Sequence, residues 1–210
     1  PHSENQQIIR LLAKNGSSFA RIGANDEGPG LRLTMGDEGA AYDATKRLIE
    51  LGHTRIGMIA GAPEYSLSAW RRTGWERAMD EHSLSHAGLC EGGDFGYESG
   101  TLATRALLDR NHDMTAIIAS SDQMTLAALA VARDRGLNVP RDLSLISFDN
   151  TPIVRFAQPP LTAVDQPIAQ TVSVAVEQLI KTRDALPVSA VTDVPAELVE
   201  RSSTGPAPKG

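Results

Sequence analysis

Two spacings of hydrophobic residues alternate along most of the chain. From about residue 37, segments with an apolar residue every three or four positions alternate with short aliphatic runs, which predicts amphipathic helices between strands. The predicted helices cover residues 37–51, 68–82, 98–110, 122–135 and 168–181, and the predicted strands cover 55–60, 89–91, 115–119, 143–148 and 194–199. This alternation is typical of an α/β fold, in which helices cover both faces of a parallel sheet.

The second half of the chain departs from this regularity. Residues 143–148 are aliphatic at nearly every position except Ser144 and Ser147, which indicates a central strand covered on both faces. Prolines then interrupt the pattern, because proline lacks the amide hydrogen and restricts the residue before it, so we predict loop and extended crossover over 150–165. The final residues are rich in Ser, Gly and Pro, and we expect them to form a disordered tail.

The first 34 residues form a separate segment. Apolar positions at 8–12 predict one short helix, and residues 19–22 predict one strand before a turn at Gly28-Pro29-Gly30. One helix and one strand cannot make a lobe alone. We therefore expect the segment to need a partner, and the candidate is the helix predicted at 168–181.

Composition and charge exclude several classes of protein. The chain has 210 residues, of which 41% are hydrophobic, enough for one large α/β domain or two small lobes. Its net charge is −6 with both signs interspersed, so we do not expect it to bind DNA by itself. The one cysteine, Cys90, excludes an internal disulfide. Neither a secretory leader nor an apolar stretch of roughly 20 residues is visible, so we expect a cytoplasmic protein.

A series of short motifs runs in order along the chain. It comprises Gly39-Ala40-Ala41, the run from Leu48 to Gly57, Gly61, Arg71 with Gly74-Trp75, Gly93-Asp94-Phe95 with Ser99-Gly100, Ser121-Asp122-Gln123-Met124, the run from Gly136 to Asn150, Pro159-Pro160-Leu161-Thr162, and Gln166-Pro167. Each motif alone is weak, but the ordered series is specific. Over about residues 1–200 it resembles the effector domain of the LacI/GalR family of transcription regulators.

The resemblance implies a periplasmic-binding-protein-like fold of type I. Two parallel-sheet lobes with flanking helices would enclose a ligand cleft, joined by three chain crossings that act as a hinge. Residues 1–34 and 165–187 would form an incomplete N-terminal lobe with an exposed apolar sheet edge. Residues 35–164 and 188–203 would form the C-terminal effector-binding lobe, and 204–210 the tail. Family members carry a DNA-binding domain upstream, so the resemblance implies DNA binding only through a domain missing here, and a homodimer when full length.

Five residues are candidates for binding the ligand. In a doubly wound sheet, ligands bind beyond the carboxyl ends of the strands, and Arg71, Phe95, Ser121 and Asp149 each follow a predicted strand or begin the next helix. The resemblance makes Arg71 the family arginine, whose guanidinium can hold two ligand oxygens, and Phe95 the ring that stacks on a sugar. It also assigns Gln166 to the ligand and to the hinge.

For some of these residues the sequence leaves a second interpretation open. Asp149 is either a ligand acceptor or a cap for the turn that follows it, and Gln166 either contacts ligand or makes an ordinary hinge hydrogen bond. Ser121 stands where many family members have asparagine. We expect Asp122 to cap the following helix, and His53 to be a structural turn histidine bonded to backbone.

The function expected from the resemblance is the sensing of a sugar or sugar-like effector by a transcription regulator. The alternative is a periplasmic sugar-binding protein of a transport system, which shares the fold. Three carboxylates, Asp94, Asp122 and Asp149, could serve acid–base chemistry, but no Gly-x-Ser-x-Gly elbow, phosphate loop or His/Cys ligand cluster accompanies them. We therefore expect no enzyme activity, no cofactor and no metal.

Overall fold

The computed structural model describes residues 5–24, 27–184 and 190–209. In chain order its elements are α1 (Gln6–Lys14), β1 (Ala20–Ile22), β2 (Leu31–Thr34), α2 (Asp37–Glu50), β3 (Ile56–Ala60), α3 (Ser66–Glu81), β4 (Cys90–Gly92), α4 (Tyr97–Arg110), β5 (Ala116–Ala119), α5 (Asp122–Asp134), β6 (Ser144–Asp149), a 3-10 helix (Pro152–Arg155), β7 (Thr162–Asp165), α6 (Ile168–Arg183), β8 (Val191–Asp193) and β9 (Glu197–Val199). Among the described residues, no helix is both long and apolar enough to cross a membrane.

The chain folds into two compact units. The smaller unit contains the described residues up to Asp37 together with Pro167–Ala196, and the larger unit contains Glu38–Gln166 together with the residues from Glu197 onward. The chain therefore passes from one unit to the other three times. Each unit has its own sheet.

The smaller unit has a three-stranded parallel sheet in the order β1-β2-β8. Along β2, Leu31 and Leu33 are buried and alternate with partly buried polar residues, because successive side chains of a strand point to opposite faces. Both leucines pack with Ala175 of α6 in one apolar cluster. The sequence did predict the return of this helix to the first segment, but it did not predict β2 or β8.

The larger unit has a six-stranded sheet in the order β4-β3-β5-β6-β7-β9. All its neighbouring strands are parallel except β7 and β9, which run antiparallel. The prediction of a central strand at 143–148 is confirmed, since β6 lies between β5 and β7 and is buried at every position before Asp149. The α/β fold with parallel sheets and flanking helices is thus the one that the sequence indicates.

Two predictions about the second half need correction. Residues 150–165, predicted as loop and crossover, contain both the 3-10 helix and β7. The single strand predicted at 194–199 is replaced by two short ones, of which β8 joins the smaller sheet and β9 the larger. Strands of three or four residues carry too few side chains to show a period of two clearly.

Residues 200–209, here called the C-terminal segment, lie along the larger sheet rather than forming the disordered tail expected from composition. Ser203 is fully buried. Its hydroxyl accepts a hydrogen bond from the Thr162 amide (2.8 Å) and donates one to the Leu145 carbonyl (2.6 Å), while its own carbonyl accepts from the Leu145 amide (2.8 Å). The segment thereby satisfies backbone groups of β6 and β7 that burial would otherwise leave unpaired.

The His53 ring is buried between β5 and the C-terminal segment. Its Nε2 lies 3.0 Å from the Gly205 carbonyl oxygen and its Nδ1 lies 2.9 Å from the Thr115 hydroxyl. A carbonyl oxygen only accepts, so Nε2 carries the hydrogen and Nδ1 of the neutral ring accepts from Thr115. The prediction of a structural histidine bonded to backbone is confirmed. Burial lowers the pKa of His53 below its ordinary value, because the charged ring would lose its hydration.

This pKa gives stability a defined pH dependence. Below about pH 6.5 His53 is protonated in the unfolded chain but remains neutral in the folded chain. The unfolded state therefore binds more protons, and the free energy of unfolding falls as pH falls. We expect this fall between pH 7.5 and pH 5.5, measured by urea unfolding, to be smaller in His53→Gln. All other residues are the same in both proteins, so the difference between the two falls is due to His53. Equal falls in the two proteins would contradict the assignment.

Candidate ligand-binding site

All five residues expected at the site follow strands that are neighbours in the larger sheet. Phe95 follows β4, Arg71 lies on the helix after β3, Ser121 follows β5, Asp149 ends β6 and Gln166 follows β7. These five strands are adjacent in the order β4-β3-β5-β6-β7 and all are parallel. Their carboxyl ends consequently lie along one edge of the sheet, here called the site edge.

Arg71 is fixed between the ends of two strands. Its side chain is buried (2% exposed), and one guanidinium nitrogen donates to the Ser120 carbonyl at 2.6 Å. The guanidinium carbon lies 4.3 Å from the centre of the Phe148 ring, a cation–π contact. Ser120 and Phe148 directly precede Ser121 and Asp149, so the arginine is held against the backbone that carries two other candidate residues.

Ser121 connects α5 to the loop after β4. Its hydroxyl accepts from the Met124 amide (3.2 Å) as the N-cap of α5 and donates to the Phe95 carbonyl (2.8 Å). The prediction that Asp122 caps this helix is therefore wrong, because Ser121 occupies the cap and Asp122 is the first helical residue. The structure thus places Ser121 and Phe95 in direct contact.

Phe95 has a left-handed backbone (φ 70°) and a partly exposed side chain. Its ring lies on Gly61, where an added Cβ would come within 2.0 Å of the ring. The ring of Tyr65 meets it edge-on, with centroids 5.9 Å apart. Gly61 and Tyr65 both belong to the connection between β3 and α3, so two loops of the site edge together fix the position of this ring.

Asp94, one of the carboxylates considered for acid–base chemistry, is engaged in its own loop. Its Oδ1 accepts from the Gly96 amide (2.8 Å) and from the Ser99 hydroxyl (2.5 Å). The Ser99 hydrogen bond, followed by that of the Gly96 amide, lowers the pKa of Asp94, so the exposed carboxylate remains ionised. Asp94 therefore shapes the loop that carries Phe95.

The turn after β6 has an uncommon backbone. Asp149 and Asn150 both have positive φ, 94° and 57°, which is rare for two consecutive residues other than glycine. Asp149 is partly buried and pairs in register with Asp165, the residue before Gln166. The last residues of β6 and β7 are thus neighbours at the site edge.

A second group of polar residues, which the sequence did not identify as a group, surrounds this turn. The buried Asp122 accepts from the Ser147 hydroxyl (2.5 Å) and from both the amide and the hydroxyl of Thr151 (2.6 Å each). Arg201 donates to the Asn150 side-chain oxygen (2.6 Å) and to the Leu161 carbonyl (2.5 Å).

The charge of Arg201 is partly shielded from water. Burial, more than any other cause, lowers the pKa of Arg201, and the neighbouring Arg155 charge acts in the same direction, while Asp122 and Asp165 oppose it. The guanidinium keeps its charge, since arginine is effectively always protonated in proteins. No sequence signal identified it, because its partners lie 40 and 51 residues away.

Two cavities of the larger unit lie away from the site edge. A cavity of about 430 Å³ is lined by Met114, Thr115 and Arg135, and one of about 310 Å³ by Leu129, Arg133 and Gln158, so neither includes any of the five candidate residues. Within residues 5–24, 27–184 and 190–209, no three His, Cys, Asp or Glu side chains are grouped so that they could hold a metal ion.

Known proteins match the chain in sequence and in structure. The family described as "periplasmic binding protein-like domain" matches residues 45–204. Catabolite control protein A of Priestia megaterium is 36% identical over 175 residues, which cover 82% of this chain and 53% of that protein. The chain therefore spans about half the length of this curated relative.

Two solved structures superpose closely. The transcriptional regulator CelR in complex with cellobiose has a TM-score of 0.88 at 30% identity, covering 95% of this chain and 62% of that one. A regulatory protein of the LacI family from Chloroflexus aggregans has the same TM-score and identity, with 96% and 73% covered. The chain therefore belongs to the periplasmic binding protein-like domain family, in the form carried by LacI-type transcriptional regulators.

Proposed function

We propose that this chain is the effector-sensing domain of a LacI-type transcriptional regulator and that it binds a sugar or sugar-like small molecule at the site edge. The observation that carries the proposal is the placement of Arg71, Phe95, Ser121, Asp149 and Gln166 after five neighbouring parallel strands. One direct contact joins two of them, since Ser121 binds the Phe95 carbonyl, and Arg71 binds the carbonyl of Ser120, the residue before Ser121.

The chemistry of these residues suits a polyhydroxylated ring. A guanidinium donates in a planar fork that two ligand oxygens can share, a carboxylate accepts from hydroxyl groups, and an aromatic ring covers the apolar face of a sugar. Arg71, Asp149 and Phe95 would supply these three functions. Ser121 and Gln166 would add single hydrogen bonds.

The relatives favour regulation over transport and over catalysis. Both superposed structures are named as regulators, and the curated relatives include HTH-type transcriptional repressors and regulators. We propose that effector binding here shifts a conformational equilibrium and that DNA is bound by another domain of the full-length, cytoplasmic protein. An effector shifts such an equilibrium only by its different affinity for the two states, typically about 1 to 3 kcal/mol.

A thermal-shift screen of mono- and disaccharides tests the proposal, with cellobiose as the first probe because the CelR structure contains it. At a hundredfold excess over its dissociation constant, a bound sugar stabilises the folded state by about 2.7 kcal/mol, which raises the midpoint by several degrees. Isothermal titration calorimetry then gives the affinity. Absence of a shift with every sugar contradicts the proposal, and turnover of cellobiose would indicate an enzyme instead.

Gly61 provides a test of the Phe95 ring. In Gly61→Ala the new methyl would overlap the ring, which must leave its position, so we expect about a tenfold loss of affinity for the sugar that gives the largest shift. The matched control is Gly92→Ala, at the end of β4, where nothing lies within 4 Å of an added Cβ. Unchanged affinity in Gly61→Ala would remove Phe95 from the ligand contacts.

We also propose that the full-length protein is a homodimer. Two large apolar side chains of the larger unit are exposed close together, since Ile153 (57% exposed) lies in the 3-10 helix and Phe156 (84% exposed) directly follows that helix. Clusters of exposed apolar residues mark interaction surfaces, and closed two-fold dimers are the commonest oligomers. Sedimentation of the full-length protein should give the dimer mass and a Phe156→Ser variant a smaller one, whereas a monomer in both would contradict the proposal.

A further inference from the structure

The turn that carries Asp149 is held from two sides by charged residues outside the five candidate positions. Asp149 and Asn150 both have left-handed backbones, a conformation that costs free energy in residues with a Cβ and persists only where the surroundings enforce it. Neither residue is a glycine, so the absence of a Cβ does not explain this backbone conformation. Its cause must lie in the contacts of the turn.

On one side the turn is anchored by Asp122. Both the amide and the hydroxyl of Thr151 donate to Oδ2 of this carboxylate, and the Ser147 hydroxyl donates to Oδ1. Asp122 is 3% exposed, and it begins α5, a helix that packs against β6. Ser147 lies before Asp149 and Thr151 after it, so a single buried carboxylate ties together the two ends of the segment.

On the other side the turn is anchored by Arg201. This residue follows β9 in the C-terminal segment and donates both to the Asn150 side chain and to the Leu161 carbonyl just before β7. The Asn150 side chain is buried. Arg201 therefore links Asn150, in the middle of the turn after β6, to the start of the neighbouring strand β7.

We propose that Asp122 and Arg201 are positioning residues that together fix the turn Asp149–Thr151 and so direct the Asp149 carboxylate along the site edge. The part of this inference that concerns the ligand rests on the proposed function. The part that concerns the turn rests only on the hydrogen bonds of Asp122 and Arg201. Neither residue needs to touch the effector, and each acts through the backbone conformation of Asp149 and Asn150.

Amide hydrogen exchange tests the fixation of the turn without any ligand. We expect the Thr151 amide to exchange at least tenfold faster in Asp122→Asn and in Arg201→Met than in the unchanged protein, with core amides of β5 unaffected. Thr151→Val, which removes one hydroxyl and keeps the amide, is the milder variant if Asp122→Asn does not fold. The controls are Asp134→Asn at the exposed end of α5 and Arg155→Met. Unchanged exchange at Thr151 in Asp122→Asn (or Thr151→Val in its place) and in Arg201→Met overturns the proposal.

A double-mutant cycle with Asp149→Asn tests whether the effect reaches the ligand. With cellobiose as probe, or the sugar with the largest thermal shift, we expect Asp122→Asn to lower affinity about tenfold in the unchanged protein and to cause no further loss beside Asp149→Asn. An equal loss in both backgrounds indicates a general structural effect and overturns the positioning role. If no sugar binds the unchanged protein, the proposed function fails, while the exchange experiment still decides whether the two residues fix the turn.

Discussion

Removal of residues 201–210 is expected to lower the free energy of unfolding of the larger unit by about 3 to 6 kcal/mol. The deletion takes away Ser203, so the buried Thr162 amide and both backbone groups of Leu145 lose their partners, at a cost of about 1 to 2 kcal/mol each. It also removes the Gly205 carbonyl from His53. Because whole domains are stable by only about 5 to 15 kcal/mol, the loss is a large part of the total.

Urea unfolding followed by circular dichroism measures this loss. Deletion of 208–210 is the matched control, because Pro208 and Lys209 are exposed and the hydrogen bonds named above all remain. Ser203→Ala should reproduce part of the loss, about 1 to 3 kcal/mol. A midpoint for the 201–210 deletion equal to that of the control would show that the C-terminal segment does not stabilise the sheet.

Replacement of Arg71 by alanine is expected to weaken sugar binding about a hundredfold or more. In the proposed site Arg71 would hold two ligand oxygens, and loss of such a charged donor removes about 3 kcal/mol of binding free energy, where each 1.4 kcal/mol is a factor of ten in affinity. Arg71→Lys should recover little of this, because an ammonium lacks the planar fork. The measurement is calorimetric titration with the sugar that gives the largest thermal shift.

The neighbouring Arg72 offers a matched control on the same helix. Its side chain is exposed and forms a salt bridge with Glu76, so Arg72→Ala should leave affinity unchanged. Arg71→Ala also leaves the Ser120 carbonyl without its donor, and the unfolding midpoint must be measured beside the affinity to separate the two effects. Full affinity in Arg71→Ala would exclude this residue from the site.

Periodicity was sufficient to predict the larger unit as far as β6, but not its last two strands, β7 and β9. Four predicted strands and three predicted helices between residues 55 and 148 correspond to β3 to β6 and to α3, α4 and α5, with bounds shifted by a few residues at most. Apolar residues at nearly every position of 143–148 indicated the central place of β6, because a strand covered on both faces is apolar on both, and the structure buries each of its positions before Asp149. The same alternation of helix and strand patterns was sufficient to predict that the candidate residues follow strands.

Contacts between distant segments could not be predicted in this way. β2 has only four residues, and its partners β1 and β8 are separated by most of the chain. The C-terminal segment has the composition of a flexible tail, yet its hydroxyl groups bind backbone of β6 and β7. Composition records the average polarity of a segment and contains no information about a partner strand elsewhere.

The polar group around the turn shows the same limit at the scale of single side chains. Asp122 has the residue type and position of a helix cap, and local rules assign it that role. In the structure Ser121 takes the cap, and the Asp122 carboxylate binds Thr151, 29 residues further on. Which of two adjacent polar residues caps a helix depends on the other hydrogen-bonding partners near each of them. The neighbouring strands of the sheet determine those partners.

The antiparallel strand β9 and the C-terminal segment affect the order in which the parts of the chain can fold during synthesis. They belong to the larger unit, although the rest of that unit ends at Gln166 and the second part of the smaller unit, Pro167–Ala196, lies between. During translation, β7 therefore lacks its antiparallel neighbour β9 until residues 197–207 have emerged from the ribosome. This happens well after β3 to β6 have emerged. The larger unit is therefore completed only after the second part of the smaller unit has been synthesised, and until then the outer side of β7 has no neighbouring strand.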